Sequence, residues 1–248
     1  MRPASKEGPL GERPIRQFFM NLRDIAFWVR SARADAYLAL LRDKHGTARA
    51  FDLLYDRVED PWGTGVAHYR YQRRKYDVLL SFLPKRHYRR ALDLGCGRGE
   101  MTRRLAPQVD EVLGLDLSNP ALEQARRLSA NLPNVCYGQA DVIALDSSLD
   151  GEFDLVVLAD TLYYVSPLDD AVLKDLRESV VRLLAPGGTL LLANHFFSGF
   201  DQDSRTSRRI HDSFRWAPGL RLEAEHRRPF YLASLFERVS RAQEGLSR

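Results

Sequence analysis

The densest cluster of residues able to do chemistry is the run Asp93-Leu94-Gly95-Cys96-Gly97-Arg98-Gly99-Glu100. Apolar Ala91, Leu92 and Leu94 run into it, and a helix-compatible stretch from Met101 to Leu105 follows. That order reads as a buried strand, a tight turn and a helix N-terminus. Alternate glycines let the backbone take positive φ and approach a ligand closely. The helix start adds unpaired N–H groups and a positive dipole end. The next apolar run, Val112-Leu113-Gly114-Leu115, ends in Asp116. An acid about 20 residues beyond such a turn is where open α/β sheets bind the hydroxyls of a nucleotide ribose. The spacing here is G-x-G-x-G. A dinucleotide fingerprint requires glycine where Glu100 stands, so a mononucleoside cradle is the better reading.

Three further groups stand at the ends of apolar runs: Asp141, Asp160 and His195. The elements that position them follow from periodicity. Strands are expected over Arg89 to Leu94, Val109 to Leu115, Val135 to Gln139, Phe153 to Ala159 and Thr189 to Asn194. The fourth is almost continuously apolar, as a strand covered on both faces should be. Ser118 and Pro120 open one helix, as cap and first-turn residue. Asp169 to Leu184 forms another, with Val172, Leu176, Val180 and Leu183 in register. Leu220 to Arg228 and Pro229 to Val239 close the sheet. Strands alternating with helices give an open, mainly parallel, doubly wound α/β sheet. Ligands in such sheets lie beyond the carboxyl ends of the strands. Asp116, Asp141, Asp160 and His195 should therefore converge on one cleft. Between Ser198 and Pro218 the chain turns polar and basic. Arg205, Arg208, Arg209 and His211 there either line a substrate mouth or form a solvated face.

The turn from Leu92 to Glu100 resembles motif I of the class I S-adenosylmethionine (SAM)-dependent methyltransferases. Asp116, Gln139-Ala140-Asp141, the strand Asp154 to Asp160 and the turn Leu184-Ala185-Pro186-Gly187-Gly188-Thr189-Leu190 match later motifs in the family's order. Together they span roughly residues 88 to 195. The resemblance implies a Rossmann-like, seven-stranded sheet and SAM as cofactor. It implies that Asp116 accepts from both ribose hydroxyls, with Leu117 beside it, and that Asp141 accepts from the adenine amine. Val142 supplies a backbone N–H to the ring. Gly95, Cys96 and Gly97 let the methionine part approach, and Asp93 orders the turn and the cofactor's amino group. Asp160 is expected at both the cofactor and the reacting groups. Each acid has a plainer reading: Asp116 as a helix cap, Asp141 as a loop acid.

A narrower resemblance lies upstream. Asp60-Pro61-Trp62-Gly63, followed by Tyr69 and Arg73-Arg74-Lys75-Tyr76, is similar to the N-terminal segment of NodS-type N-methyltransferases. That family methylates the free amine of a deacetylated chitooligosaccharide. The strand end His195-Phe196-Phe197 is similar too. The likeness implies N-methylation of an amino sugar or related amine, with Tyr69 or Arg74 holding the cofactor's carboxylate. An amine must lose a proton to react, and Asp160, Tyr163, Tyr164 and His195 are the candidate bases. His195 is best suited, because imidazole titrates near neutrality; its alternative is a satisfied core histidine. O-methylation of a sugar or natural product uses the same sheet motifs. Asp160-Thr161-Leu162-Tyr163 stands where nucleic-acid base methylation would need an Asn/Asp-Pro-Pro-Tyr/Phe tetrad, which argues against RNA. A non-catalytic SAM-binding module is the remaining alternative.

Ahead of the sheet, residues 1–14 read as a disordered tail and 15–84 as a helical extension or lid. The SAM-binding domain covers 85–240. Helix is expected over Ile15 to His45, with Phe18, Leu22, Ile25, Ala26, Val29, Ala36, Leu40 and Leu41 as its apolar stripe. Shorter helices follow over Ala50 to Tyr55 and Tyr69 to Leu83. The 248 residues carry a formal net charge of +4, too small to argue for nucleic acid by itself. Two cysteines form no disulfide framework, so a reducing cytoplasm is the expected setting. No apolar run reaches the roughly 18 residues of a membrane span. Pro3, Pro9 and Pro14 without an apolar core do not make a secretory signal. No Cys/His pattern has metal-ligand spacing, so no metal is expected. The expected partner is a small-molecule methyl acceptor.

Overall fold

The computed structural model describes residues 22–66, 69–197, 201–228 and 230–239. The tail 1–14 and the expected start of the first helix lie outside the described residues. A single seven-stranded sheet organises the chain: β1 (Tyr88–Leu94), β2 (Val109–Asp116), β3 (Val135–Gln139), β4 (Phe153–Ala159), β5 (Leu184–Phe196), β6 (Leu220–Arg228) and β7 (Phe230–Arg238). The strand order is β3-β2-β1-β4-β5-β7-β6. Strands β1 to β5 pair in parallel, and β7 inserts antiparallel between β5 and β6. Between β1 and β4 the order reverses direction, so a crevice opens at the carboxyl ends of those two strands.

Both faces of the sheet are covered, and the side chains divide by the period of two. Val156 and Leu158 of β4 point to one face. There they join Leu173, Leu176 and Val180 of α6 (Asp170–Leu183) and Ile210 and Phe214 of α7 (Gln202–Arg215). Leu155 and Val157 point to the other, with Met101 and Leu105 of α4 (Glu100–Leu105) and Tyr76 and Leu79 of α3 (Arg70–Phe82). Helix α5 (Asn119–Leu128) starts as expected: the Ser118 hydroxyl accepts from the Ala121 N–H. Asp169 and Asp201 cap α6 and α7 in the same way. Strand β5 begins earlier than its apolar pattern, because Leu184 already pairs with Phe153 of β4.

The N-terminal segment divides in two. Helix α3 is part of the sheet's packing. Helices α1 (Leu22–His45) and α2 (Thr47–Arg57) form their own cluster through Leu38, Leu41, Ala50 and Leu54. The apolar stripe expected on α1 is corrected here. Ile25, Ala26, Val29, Ala36 and Leu40 face outward, and the buried face is Phe27, Ala34, Leu38 and Leu41. Helical spacing allowed either phase, and contact with α2 and with Tyr69 selects the second. No described helix is long and apolar enough to cross a membrane.

The two stripes make opposite demands on stability. Leu38 is 2% exposed and Leu40 is 61% exposed. Leu38→Ala should cost about 2–5 kcal/mol in urea unfolding. Leu40→Ala should stay within about 0.5 kcal/mol.

Candidate functional site

A cavity of about 600 Å³ opens at the crevice between β1 and β4. That is within the roughly 300–1,000 Å³ typical of small-molecule sites. The glycine turn after β1 forms one wall. It is fastened to β2: the N–H groups of Gly95 and Cys96 both donate to the Leu115 carbonyl, at 2.7 and 3.0 Å. The Gly97 N–H donates to Asp116 Oδ2 at 2.7 Å, and the Ser118 N–H donates to Asp116 Oδ1 at 2.9 Å. Both carboxylate oxygens are therefore aimed, and each keeps lone-pair capacity for a ligand hydroxyl. Burial raises the Asp116 carboxyl above its ordinary pKa, against the lowering effect of the N–H groups of Ser118, Gly97 and Leu117. The N–H groups of Gly95, Cys96, Gly97 and Gly99 all donate within the protein, so these glycines offer no free donors. Gly95 and Gly97 have φ of 78° and 53°. A Cβ on Gly97 would lie 2.8 Å from the Tyr55 hydroxyl, and one on Gly95 would run into the Thr161 side chain.

Across the cavity, α3 meets the end of β4. Lys75 is buried on α3 and forms an ion pair with Asp160 Oδ2. Asp160 itself has φ of 60°, in the left-handed region that aspartate tolerates better than most residues. Its second oxygen, Oδ1, is buried without a hydrogen-bond partner among the described residues. His195, at the end of β5, also lines the cavity and packs edge-on to Trp28 at 5.8 Å between ring centroids. Burial holds its imidazole below the ordinary pKa, Asp160 pulling it up and Lys75 pushing it down. Burial thus favours the neutral imidazole.

The structure brings Gly95, Cys96, Gly97, Asp116, Leu117 and Asp141 to this one cavity, together with Val142, Asp160, Tyr164 and His195. Three expected cofactor residues are elsewhere. Arg74 points away, because one residue along a helix turns the side chain by about 100°. Arg74 is exposed, and its neighbour Lys75 takes the inward position. Tyr69 is buried against Phe27 and beneath Gly63, outside the lining. Asp93 is buried under the turn, where it accepts from the Thr102 hydroxyl at 2.6 Å. Burial raises its carboxyl to about 6. It ties the turn to α4 and does not reach the cavity.

Of the two readings open for the basic segment after Ser198, the solvated face fits Arg205, Arg208 and Arg209, and His211 fits neither because it is buried. The segment contains α7, and none of Arg205, Arg208, Arg209 or His211 lines the cavity. Arg208 pairs with Glu225, Arg209 with Asp170, and His211 is buried with its Nδ1 2.7 Å from the Ser234 hydroxyl. Sequence reading missed Lys75, Arg98 and Asp35. Arg98 reaches back to Asp60 at 3.3 Å, and Asp60 also accepts from the N–H groups of Thr64 and Gly65. This links the Asp60-Pro61-Trp62-Gly63 turn to the glycine turn. No local signal singles out Lys75 from its neighbour Arg74 on α3, since docking of the helix decides which is buried. Asp35 has none either, because its place depends on how α1 docks.

The cavity suits SAM. Both Asp116 oxygens are oriented by N–H groups and keep acceptor capacity, and the absence of a Cβ at Gly95 and Gly97 lets Thr161 and Tyr55 close against the turn. The orphan Asp160 Oδ1 lacks the donor that the cofactor's ammonium group carries. Residues 91–188 match the methyltransferase domain family. Malonyl-[acyl-carrier protein] O-methyltransferase of Enterobacter lignolyticus is 36% identical over 152 residues, covering 60% of this chain and 53% of that protein. Nodulation protein S of Rhizobium tropici is 30% identical over 137 residues, covering 55% and 56%. The chain thus spans about half the length of these curated relatives. The crystal structure of N-methyltransferase NodS from Bradyrhizobium japonicum WM9 with S-adenosyl-L-homocysteine superposes with a TM-score of 0.63. The identity is 19%, over 85% of this chain and 99% of that one.

Cofactor binding should separate the two helix positions and test the carboxylate. Asp116→Ala should weaken SAM binding roughly 10- to 100-fold by calorimetry, as lost hydrogen bonds to a charged group do. Lys75→Ala should also weaken it, and Arg74→Ala should leave it unchanged.

Proposed function

We propose that this chain, whose residues 91–188 match the methyltransferase domain family, transfers a methyl group from SAM to the nitrogen of a small-molecule amine. An amino sugar, as the likeness to nodulation protein S suggests, is the leading acceptor class. The observation that carries the reading is the charge of the cavity lining. Six carboxylates, Asp35, Glu100, Asp116, Asp141, Asp160 and Asp203, share the lining with two permanent cations, Lys75 and Arg98, and Glu100 is paired with Arg103 and Arg104, leaving acids in excess. Both lining cations are already engaged, with Asp160 and with Asp60. Such a lining raises the local concentration of cationic ligands and opposes carboxylate acceptors.

SAM supplies a methyl group on positively charged sulfur, which is electrophilic without further activation. The protein's part is to place the acceptor, exclude water and move one proton. Asp116 fixes the nucleoside end, and Asp160 with Lys75 meets the zwitterionic methionine end. His195 takes a proton from the acceptor ammonium. With SAM held by Asp116, Asp160 and Lys75, the freed nitrogen would take the methyl group, and the electron pair of the C–S bond would stay on sulfur. The aromatic rings of Trp28, Tyr163 and Tyr164 wall the reacting centre.

A panel of amines, alcohols, phenols, carboxylic acids and RNA with methyl-labelled SAM tests this reading. Label is expected on amines, and label found only on oxygen would overturn it. His195→Ala should lower kcat at pH 7 on the order of 10²- to 10⁴-fold. The sign of the pH effect follows from the lowered imidazole pKa. The wild-type enzyme should keep its base down to below about pH 6.5 and lose kcat as pH falls through that lowered value. In His195→Ala the acid limb should move to higher pH and follow the free amine.

A further inference from the structure

Helix α1 contributes one face to the cavity: Trp28, Ser31, Ala32 and Asp35. Their spacing of three, four and seven residues places them on a single stripe. Asp35 is exposed within the cavity. Its Oδ1 accepts two hydrogen bonds, from Trp62 Nε1 and from the Tyr164 hydroxyl, each 2.8 Å long. Both donors belong to rings that pack together. Trp62 and Tyr164 lie 5.6 Å apart between centroids, and Phe51 joins them at 6.3 and 5.8 Å. Burial raises the Asp35 carboxyl above its ordinary pKa, against the lowering effect of the hydrogen bonds from Trp62 and Tyr164, and Asp203 adds to the rise.

This arrangement has the chemistry of a cation subsite. A carboxylate has room for about four hydrogen bonds, and two are spent on one oxygen. Both donors are neutral, so they favour the ionised form without cancelling its charge. The lysine and arginine of the lining are held by Asp160 and Asp60. The faces of Trp62, Tyr164 and Phe51 add the ring quadrupoles that attract ammonium groups. The chamber is thus negative, aromatic and close to the residue that would take the acceptor's proton.

We propose that Asp35 is the specificity-determining residue of the acceptor site, seating the acceptor's ammonium group against the Trp62, Tyr164 and Phe51 rings before its proton passes to His195. This rests on the amine reading given above. It also gives α1 a function: the helix outside the sheet selects the acceptor, and the sheet holds the donor. Neutral hydroxyl acceptors gain nothing from the charge, and anionic ones are repelled.

A purely structural role for Asp35 is separable. In Asp35→Asn the side-chain carbonyl still accepts from Trp62 and Tyr164, so the tie between α1 and the two loops is kept and only the charge is lost. The full chain, saturated with S-adenosylhomocysteine, is titrated calorimetrically with glucosamine and with uncharged N-acetylglucosamine. Wild type is expected to prefer glucosamine, and Asp35→Asn to lose that preference by roughly 10- to 100-fold, with SAM affinity unchanged. In turnover with an amine acceptor the loss should fall on KM and leave kcat nearly intact. Equal binding of the two sugars by wild type, or an undiminished preference in Asp35→Asn, overturns the proposal. Because binding is read without turnover, this result is distinct from the labelling panel, in which methylation only at oxygen would refute the amine reading itself.

Discussion

The ion pair between Lys75 and Asp160 holds the working parts of this protein in one place. Lys75 is on a helix ahead of the sheet, and Asp160 is at the tip of its central strand β4. Burying two charges costs several kcal/mol per ion, so such a pair adds little net stability over packed apolar residues. Removing one partner is far worse, at about 3–5 kcal/mol, because the other charge is stranded. The pair is better understood as a device for position. It fixes α3 against the strand ends and holds Asp160 in a left-handed backbone conformation. One oxygen of that carboxylate is left buried without a hydrogen-bond partner among the described residues.

Around this pair the site divides between two kinds of structure. The donor side is made by strand ends and the turns that follow them. Its geometry comes from backbone hydrogen bonds: Leu115 receives two turn N–H groups, and Asp116 receives a third. The two bonds to the Leu115 carbonyl would persist under many changes of side chain, whereas the third depends on the Asp116 carboxylate. The side we propose for the acceptor is made by α1, the Trp62 turn and the short helical turn at Tyr164, meeting on a single oxygen of Asp35. Its geometry comes from side chains. Methyl donors are shared among many acceptor chemistries, so a constant cradle beside a variable chamber is the economical arrangement.

The residues of the donor side were readable because their signals are local. Gly95, Gly97 and Asp116 are specified by a strand, a turn and a second strand within some twenty positions. Asp141, Asp160 and His195 each end an apolar run, and parallel strands place their carboxyl ends along one edge. Errors came where a helix had to choose its face. Arg74 and Lys75 are adjacent cations on α3, and only docking onto the sheet decides which is buried. The same holds for α1, where Ile25, Val29 and Leu40 make as good a stripe on paper as Phe27, Leu38 and Leu41. The polar segment after Ser198 hid α7, whose Arg208, Arg209 and His211 meet Glu225, Asp170 and Ser234 and not a ligand.

By itself, then, the sequence determined the α/β class, the position of the cofactor cradle and the set of strand-end acids, because period-two runs and glycine spacing act over a few residues. Tertiary structure decided which faces of α1 and α3 turn inward. With them it decided that Lys75 meets Asp160, that Asp93 serves Thr102, and that Asp35 stands among Trp62, Tyr164 and Phe51. Those pairings join residues up to 129 positions apart. No local pattern encodes them, since a helix is equally regular at any rotation until another surface packs against it.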